Sequence, residues 1–387
     1  MPPSGSLWSN RRTRALLVQL LVVLGAVSFF AYIIHNTLHN LGLRGITTGF
    51  DFLSSPSGFG IIQSLVEYDE SSSFGRVFVV GLLNTVLVAA LGIFFATLIG
   101  GLIGIARLSR NWLIAKIAEA YVETIRNIPL LLQIFFWYFG VLRTLPPPRQ
   151  SLSFGEHVFL NIRGLYLPGP VFEEGFKAVT TACVLTLGAS LVLSRWARAR
   201  RENTGKTFPV LMVSLAAMLG VPFLTYLAMG SPLSWDIPEL RGFNFRGGIM
   251  VIPELAALLV ALTIYTAAFI AEVVRGGIQA VSHGQTEAAS SLGLRPGQTL
   301  RLIILPQAMR VIIPPLTNQY LNLTKNSSLA TAIGYPDLVS VFAGTTLNQT
   351  GQAVETIAIT MGIYLFLSLT ISAYMNWYNH RKRLIEG

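Results

Sequence analysis

Apolar residues run through this chain in long blocks separated by short polar punctuation. A helix needs about 20 mainly apolar residues to cross the hydrocarbon core of a bilayer. On that measure the pattern predicts spans over residues 15–34, 74–106, 113–142, 175–194, 208–228, 253–274, 311–329 and 354–378. Polar residues interrupt the third and seventh of these, and the seventh also carries prolines. The first follows Arg11, Arg12 and Arg14, as a cleaved signal peptide would. Its apolar run exceeds the roughly 7–15 residues of such a segment, and no convincing A-x-A site follows. It is therefore expected to be a retained helix. The fold class predicted is an all-α integral membrane protein of eight transmembrane helices.

Composition agrees with the pattern. Of 387 residues, 52% are hydrophobic and 12% charged, against about 25% charged in soluble domains. The mean hydropathy is +0.58. A net charge of +10 raises the question of nucleic acid, but its distribution answers otherwise. With the N-terminus placed inside, the cytoplasmic segments hold eighteen lysines and arginines, including Arg107, Arg110, Arg195, Arg198, Arg201, Arg295, Arg301, Arg381 and Arg383. The outer segments, including Arg44, Arg76, Arg163 and Arg241, hold eight. That bias predicts both termini in the cytoplasm and spreads the basic excess over five membrane-flanking segments, so no nucleic-acid partner is expected. The single cysteine, Cys183, cannot form an internal disulfide or a thiolate metal site. His35, His39, His157, His283 and His380 show no ligand spacing, and no metal is expected.

The stretch "EAASSLGLRPGQTLRLIILP" lies between the sixth and seventh spans. It fits E-A-A-x-x-x-G, nine residues, then I-x-L-P, with Glu287, Ala288, Ala289, Gly293, Ile303, Leu305 and Pro306 at the fixed positions. Physically it reads as two short helices joined by a turn. Glu287, Ala288 and Ala289 favour helix. Gly293 permits the left-handed conformation that ends one, and Pro296 is tolerated in the first turn of the next. Small residues beside a glycine make a low-relief surface that another protein can approach closely. An ordinary helical turn is the plainer alternative.

This loop resembles the EAA loop of ABC-importer permeases. "YVETIRNIPLLLQIFFWYFG", "IAEVVRGGIQAVSHGQTEAA" and "LPQAMRVIIPPLTNQYLNLTKNSSLATAIGYPDL" resemble the polar amino-acid permeases, the histidine/glutamate/glutamine/arginine/opine group. The resemblance covers residues 74–142 and roughly 238–378. The extra pair of spans resembles that of the long, eight-span subunits of general L-amino-acid importers. It implies a five-helix type I importer core of spans two, three, six, seven and eight, with spans one, four and five peripheral. The implied organisation is an N-terminal peripheral helix and outer loop (1–73), core helices (74–142), an inserted helix pair with outer loops (143–252), and further core helices with a cytoplasmic coupling loop at 275–310 (253–387). It also implies partners: a cytoplasmic ATPase pair that holds ATP and Mg and docks on the loop, a second homologous permease, an outer amino-acid-binding protein, and an amino-acid substrate. The implied location is the bacterial inner membrane.

The energy source is not expected in this chain. "TGKT" at 204–207 evokes a phosphate loop, but G-x-x-x-x-G-K-S/T requires glycine where Arg200 stands. The stretch reads instead as a basic membrane-flanking loop. The chain is thus not expected to be an enzyme or to hold a cofactor.

Ionisable groups at membrane depth are costly and usually face an interior. Glu123 and Arg126, three apart in the third span, are expected to form a structural ion pair. Glu272, followed by Arg275, is expected to pair or to snorkel. Asn84 and Thr85 in the second span line the substrate path or bond between helices, with equal weight. In the seventh span Asn318, Asn322, Lys325 and Asn326 fall on one helical stripe at i, i+4, i+7 and i+8. That stripe faces either the translocation path, where Lys325 could meet an α-carboxylate, or a partner permease. An ion-coupled secondary transporter or channel is the alternative function. It would usually carry paired broken helices from inverted repeats, and no such pairing is visible.

Overall fold

A computed structural model describes residues 11–43 and 48–382. Arg44, Arg383 and the extreme termini, which entered the orientation argument, lie outside the described residues. The helices are α1 (Arg11–Leu43), α2 (Phe74–Ala106), α3 (Trp112–Asn127), α4 (Leu130–Phe135), α5 (Phe176–Thr204), α6 (Val210–Ala228), α7 (Pro253–Gln279), α8 (His283–Ser291), α9 (Pro296–Thr299), α10 (Leu305–Asn326), α11 (Leu347–Thr350) and α12 (Ala353–Lys382). Among the described residues seven helical segments are long and apolar enough to cross a membrane, or eight if one bent pair counts as a span.

The bent pair corrects the expectation of a single third span over 113–142. Its two halves, Trp112–Asn127 and Leu130–Thr144, meet at 104°. Pro129 has no N–H to continue the ladder, and Ile128 before it adopts extended geometry (φ −102°, ψ 126°), as residues preceding proline do. The seventh span also starts earlier than 311, because α9, a π-helical turn at Leu300–Ile304 and α10 run on without a gap.

The chain forms two compact units, residues 1–135 with 257–387, and residues 136–256. In the first, α2 is the centre. Its glycines set the packing: a Cβ on Gly104 would stand 2.7 Å from the Ala271 carbonyl oxygen, and one on Gly100 would stand 2.7 Å from Ile270 Cβ. The backbones of α2 and α7 therefore lie in close contact, as small-xxx-small pairs allow where no hydrophobic effect drives helices together. Around that seam Ala96, Ala267, Ile270, Ile312, Leu316, Leu323 and Met375 form a buried cluster drawn from α2, α7, α10 and α12. A second cluster joins Phe52 and Phe74 to Leu338 and Phe342. It pins residues 48–73 onto a π-helical segment, Val339–Thr346. By contrast, no residue in the apolar window of α1 is buried, the pattern of a helix surrounded by lipid.

The second unit holds the α5–α6 hairpin and eight short strands that the polar outer stretches did not announce. They are β1 (Leu152–Phe154), β2 (Val158–Asn161), β3 (Gly164–Leu167), β4 (Gly169–Phe172), β5 (Leu233–Asp236), β6 (Glu239–Arg241), β7 (Asn244–Arg246) and β8 (Ile249–Val251). They form an antiparallel sheet in the order β1-β2-β3-β8 and the two ribbons β4-β5 and β6-β7. Leu165 pairs with Val251 across the β3–β8 edge. Phe159 and Tyr166 pack on Phe245, with ring centroids 4.5 and 5.1 Å away.

Candidate functional site

The stretch between α7 and α10 builds a small exposed platform. α8 ends where Gly293 takes φ +75°. The Gly293 N–H donates to the Ser290 carbonyl at 2.9 Å, and the Leu294 N–H reaches back to Ala289 at 3.1 Å. This closure meets the carbonyls that a helix end leaves without partners. Ala289 is buried, while Glu287, Ala288 and Gly293 are exposed. On α8, Ala289 thus faces inward while Glu287 and Ala288 face outward; Ile303 and Leu305 are half-buried. His283 Nδ1 lies 3.0 Å from Glu287 Oε1 on that outer face, and Leu292 is 80% exposed.

Pro296 opens α9, and the Arg295 N–H is capped by Gln298 Oε1 at 3.1 Å. Ile303, Leu305 and Pro306 sit at the seam where the π-helical turn becomes α10. Gln307 Nε2 donates to Gln285 Oε1 at 3.2 Å, which ties α8 directly to the first turn of α10. Under the platform a cavity of about 540 Å³ is lined by Leu108, Arg110, Ile278, Thr286, Thr299 and Ile304, among others. At the same end of the helices, Glu272 accepts from two arginines. Arg275 donates through Nη2 to Oε1 at 2.5 Å and through Nε to Oε2 at 3.2 Å, and Arg107, the residue that caps α2, donates to the same Oε2. The expected Glu272–Arg275 pair thus forms within α7, and Arg107 extends it to α2.

The expected Glu123–Arg126 pair does not form. The Arg126 guanidinium lies 5.0 Å over the ring of Phe269 on α7, and Glu123 is exposed. α3 ends at Asn127, so Arg126 stands in its last turn and turns toward the neighbouring helix. The local pair on α3 is instead Lys116–Glu119, at 2.8 Å.

The polar stripe of α10 is separated cleanly from its apolar face. Ile312, Ile313, Leu316, Leu323 and Thr324 are buried. Asn318, Asn322 and Lys325 are exposed and Asn326 is half-buried. The stripe thus points away from the packed interior of its own unit. Among the described residues no carboxylate pairs with Lys325.

Asn84 and Thr85 are both fully buried, which favours the interhelical reading over an open path. Asn84 Nδ2 donates to the carbonyls of Gln63 and Pro336, each at 2.9 Å. Thr85 Oγ1 accepts from the Leu338 N–H at 3.0 Å. They hold the chain that returns after α10. The same knot contains residues that sequence reasoning did not single out. Asp337, 1% exposed, accepts from the Ser340 N–H at 2.9 Å and lies 3.4 Å from both Thr331 Oγ1 and Tyr364 Oη. It lies between the candidate spans, and burial pushes its carboxyl up to about 7 despite these hydrogen bonds. Gln133 was likewise missed. Its Nε2 donates to the Ile125 and Ile128 carbonyls, both at 3.0 Å, and so closes the end of α3 across the Pro129 break. A lone glutamine inside "LLQIFF", just after a proline, was the available signal.

Residues 92–384 match the family described as binding-protein-dependent transport system inner membrane component. Among curated relatives, a protein of Escherichia coli named as an amino-acid ABC transporter permease, YhdX, is 55% identical over 99% of this chain and 98% of its own length. The general L-amino acid transport system permease AapQ of Rhizobium johnstonii is 49% identical over 100% of this chain and 98% of its own. The glutamate/glutamine/aspartate/asparagine transport system permease BztB of Rhodobacter capsulatus is 42% identical over 97% and 95% respectively. These relationships give no support to an ion-coupled carrier or channel. With its multiple membrane-spanning helices, the chain belongs to the binding-protein-dependent transport system inner membrane components and is a permease subunit of an ATP-driven ABC importer.

Proposed function

We propose that this subunit carries amino acids inward, that residues 287–306 receive the motion of a separate ATPase pair, and that the exposed stripe of α10 lines the substrate path. The names of the relatives support the substrate class. The observation that carries the mechanical part is the outward presentation of Glu287 and Ala288, with Leu292 just after them, on a short helix held inward by Ala289 and tied to α10 through Gln285.

ATP and Mg are held by the partner ATPases, which supply the free energy of phosphoryl transfer. This chain's residues convert the closure of those partners into displacement of α8. The Gln285–Gln307 hydrogen bond and the continuous α9–α10 rod pass that displacement to the membrane helices. At the far end Lys325 offers an ammonium to the substrate carboxylate, and Asn318, Asn322 and Asn326 offer amide donors and acceptors to either end of a zwitterion. The opposite half of the path comes from a second, homologous permease, and substrate arrives from an outer binding protein. Both termini lie in the cytoplasm, as the lysine and arginine bias requires.

The test is co-purification and uptake. A tagged subunit should retain an ATPase, and vesicles holding the complex with a binding protein should accumulate labelled amino acids from a panel only when ATP is present. Accumulation driven by an ion gradient without ATP would overturn the proposal.

A further inference from the structure

We propose that the turn of the α5–α6 hairpin binds the headgroup phosphate of an anionic membrane phospholipid. α5 and α6 pack along each other, and their outer faces expose Val184, Leu185, Leu191, Leu211, Leu219 and Leu224. Such a hairpin lies in lipid, so its polar turn sits at headgroup depth. Gly205, at φ +69°, ends α5 by donating its N–H to the Arg201 carbonyl at 3.0 Å. The chain then doubles back and brings Thr207 and Phe208 over the last turns of α5. A cleft of about 230 Å³ results, with Ser194, Arg198, Arg201, Thr207 and Phe208 on its walls.

The chemistry of the cleft is that of an anion site. Arg198 and Arg201 are three apart and share one helix face. Arg195, Arg200 and Lys206 surround them, against one carboxylate in the stretch, Glu202. Among the described residues none of these five cations is in an ion pair. Arg200 lies 5.1 Å over the Trp196 ring, and Trp196 meets Phe208 edge-on at 5.6 Å. That aromatic pair braces the turn and is of the type enriched at membrane interfaces. α6 begins at Val210, itself on the cleft wall, so the positive end of its dipole reinforces the site, while the C-terminal end of α5 opposes it. The arginines decide the balance, since guanidinium forks match phosphate oxygens in pairs. Phosphate beside the "TGKT" stretch is thus met by arginine side chains at a helix C-terminus rather than by a glycine-rich loop before a helix. Basic pockets between membrane helices recognise anionic headgroups in this way, and phospholipid is the phosphate carrier present at that depth.

The test uses the full chain purified with its partners in phosphatidylcholine nanodiscs. These contain a trace of photoactivatable phosphatidylglycerol or, in a parallel sample, photoactivatable phosphatidylcholine. Both leaflets carry the probe, so the result does not depend on orientation. Labelled peptides from residues 194–210 are expected with the anionic probe, at least fivefold above the neutral probe. Arg198→Gln with Arg201→Gln should abolish the excess. Arg198→Lys with Arg201→Lys should retain only part of it, since an ammonium keeps the charge but not the paired fork, and Arg241→Gln with Arg246→Gln should leave it intact. Equal labelling by both probes in the wild-type chain would reduce the basic turn to an orientation signal and overturn the proposal, even if the glutamine variant failed to insert. Undiminished labelling of an inserted glutamine variant, or anionic-probe labelling that falls only on partner proteins and not on residues 194–210, would overturn it as well.

Discussion

Gly293 gives the sharpest test of the coupling assignment, because its environment separates strain from collision. A Cβ added there would meet nothing within 4 Å, yet the backbone stands at φ +75°. Substitution is therefore penalised only by the left-handed conformation, about 1–2 kcal/mol for an ordinary L-residue. α8 has only nine residues, fewer than the roughly 12–15 at which isolated helices become even marginally stable. It is held inward by Ala289 and has little reserve. A penalty of this size lowers the population of the ordered platform by a factor of about 5–30. Gly293→Ala should reduce uptake by about that factor, Gly293→Val should abolish it, and Gly293→Asn should lose least, since asparagine visits the left-handed region more readily. The assay is uptake of labelled amino acid at matched membrane levels, with binding-protein-stimulated ATP hydrolysis measured beside it. Normal uptake by the valine variant would refute the coupling role. An asparagine variant as damaged as valine would refute the conformational reasoning, because nothing occupies the space a larger side chain would need.

Further expectations follow from the packing. Gly104→Val must push α2 away from the Ala271 carbonyl and should destabilise the purified subunit by about 1–3 kcal/mol. Gly101→Val, with nothing within 4 Å of its Cβ, should melt like the wild type, and equal melting of the two variants would refute the close-approach reading. Asn84→Ala removes two donated hydrogen bonds and leaves buried carbonyls behind, a loss of about 1–3 kcal/mol that thermal unfolding in detergent would register. The folded-state pKa of Asp337 is raised, so its ionisation opposes folding as pH climbs from the unfolded carboxylate range toward about 7. Asp337→Asn should therefore gain melting temperature relative to the wild type as pH rises from about 4 to about 7, and a pH-independent difference would remove that assignment. Lys325→Ala should lower uptake several-fold while the complex with the ATPase survives purification, and Lys325→Arg should rescue it poorly. A complex that falls apart instead makes the lysine structural.

The places of most spans were legible because the bilayer sets a minimum apolar length, but not their full extent: α1 runs on to Leu43 and α5 to Thr204, well past the apolar blocks at 15–34 and 175–194. The apolar block 74–106 coincides with α2 to the residue, and the glycine in the coupling stretch stands in the left-handed region that its position after α8 demands. Pro129 announced a break but not its size, since a proline fixes only its own φ and discourages helix in the residue before it. At the 104° turn Gln133 meets the freed carbonyls, a contact the proline alone does not specify. The strands escaped notice because each has only three or four residues and several have both faces exposed. Their order is set by partners as far apart as Leu165 and Val251, a pairing no local pattern encodes. Long-range electrostatics were equally hidden. Arg107 and Glu272 are 165 positions apart, whereas Glu123 and Arg126, adjacent on a helix and opposite in charge, ignore each other because an aromatic ring offers the arginine a better seat at the end of its helix.

The two halves of the proposed mechanism meet on α10. At 22 residues it spans about 33 Å at 1.5 Å per residue. Its first turn is tied to the coupling platform, and its last two turns carry Asn322, Lys325 and Asn326. A wholly rigid rod would move both ends together. Pro314 and Pro315 lie inside the helix, and they remove two backbone donors from the ladder about halfway along. The buried side is clamped to both sides of that point, by Ala308 and Ile312 before it and Leu316 and Leu323 after it. The pair of prolines therefore weakens the axial ladder without releasing the packed face. A push at Gln307 would bend the helix about its buried side rather than slide it. Bending of that kind displaces the exposed side most, and the exposed side is where the polar stripe lies.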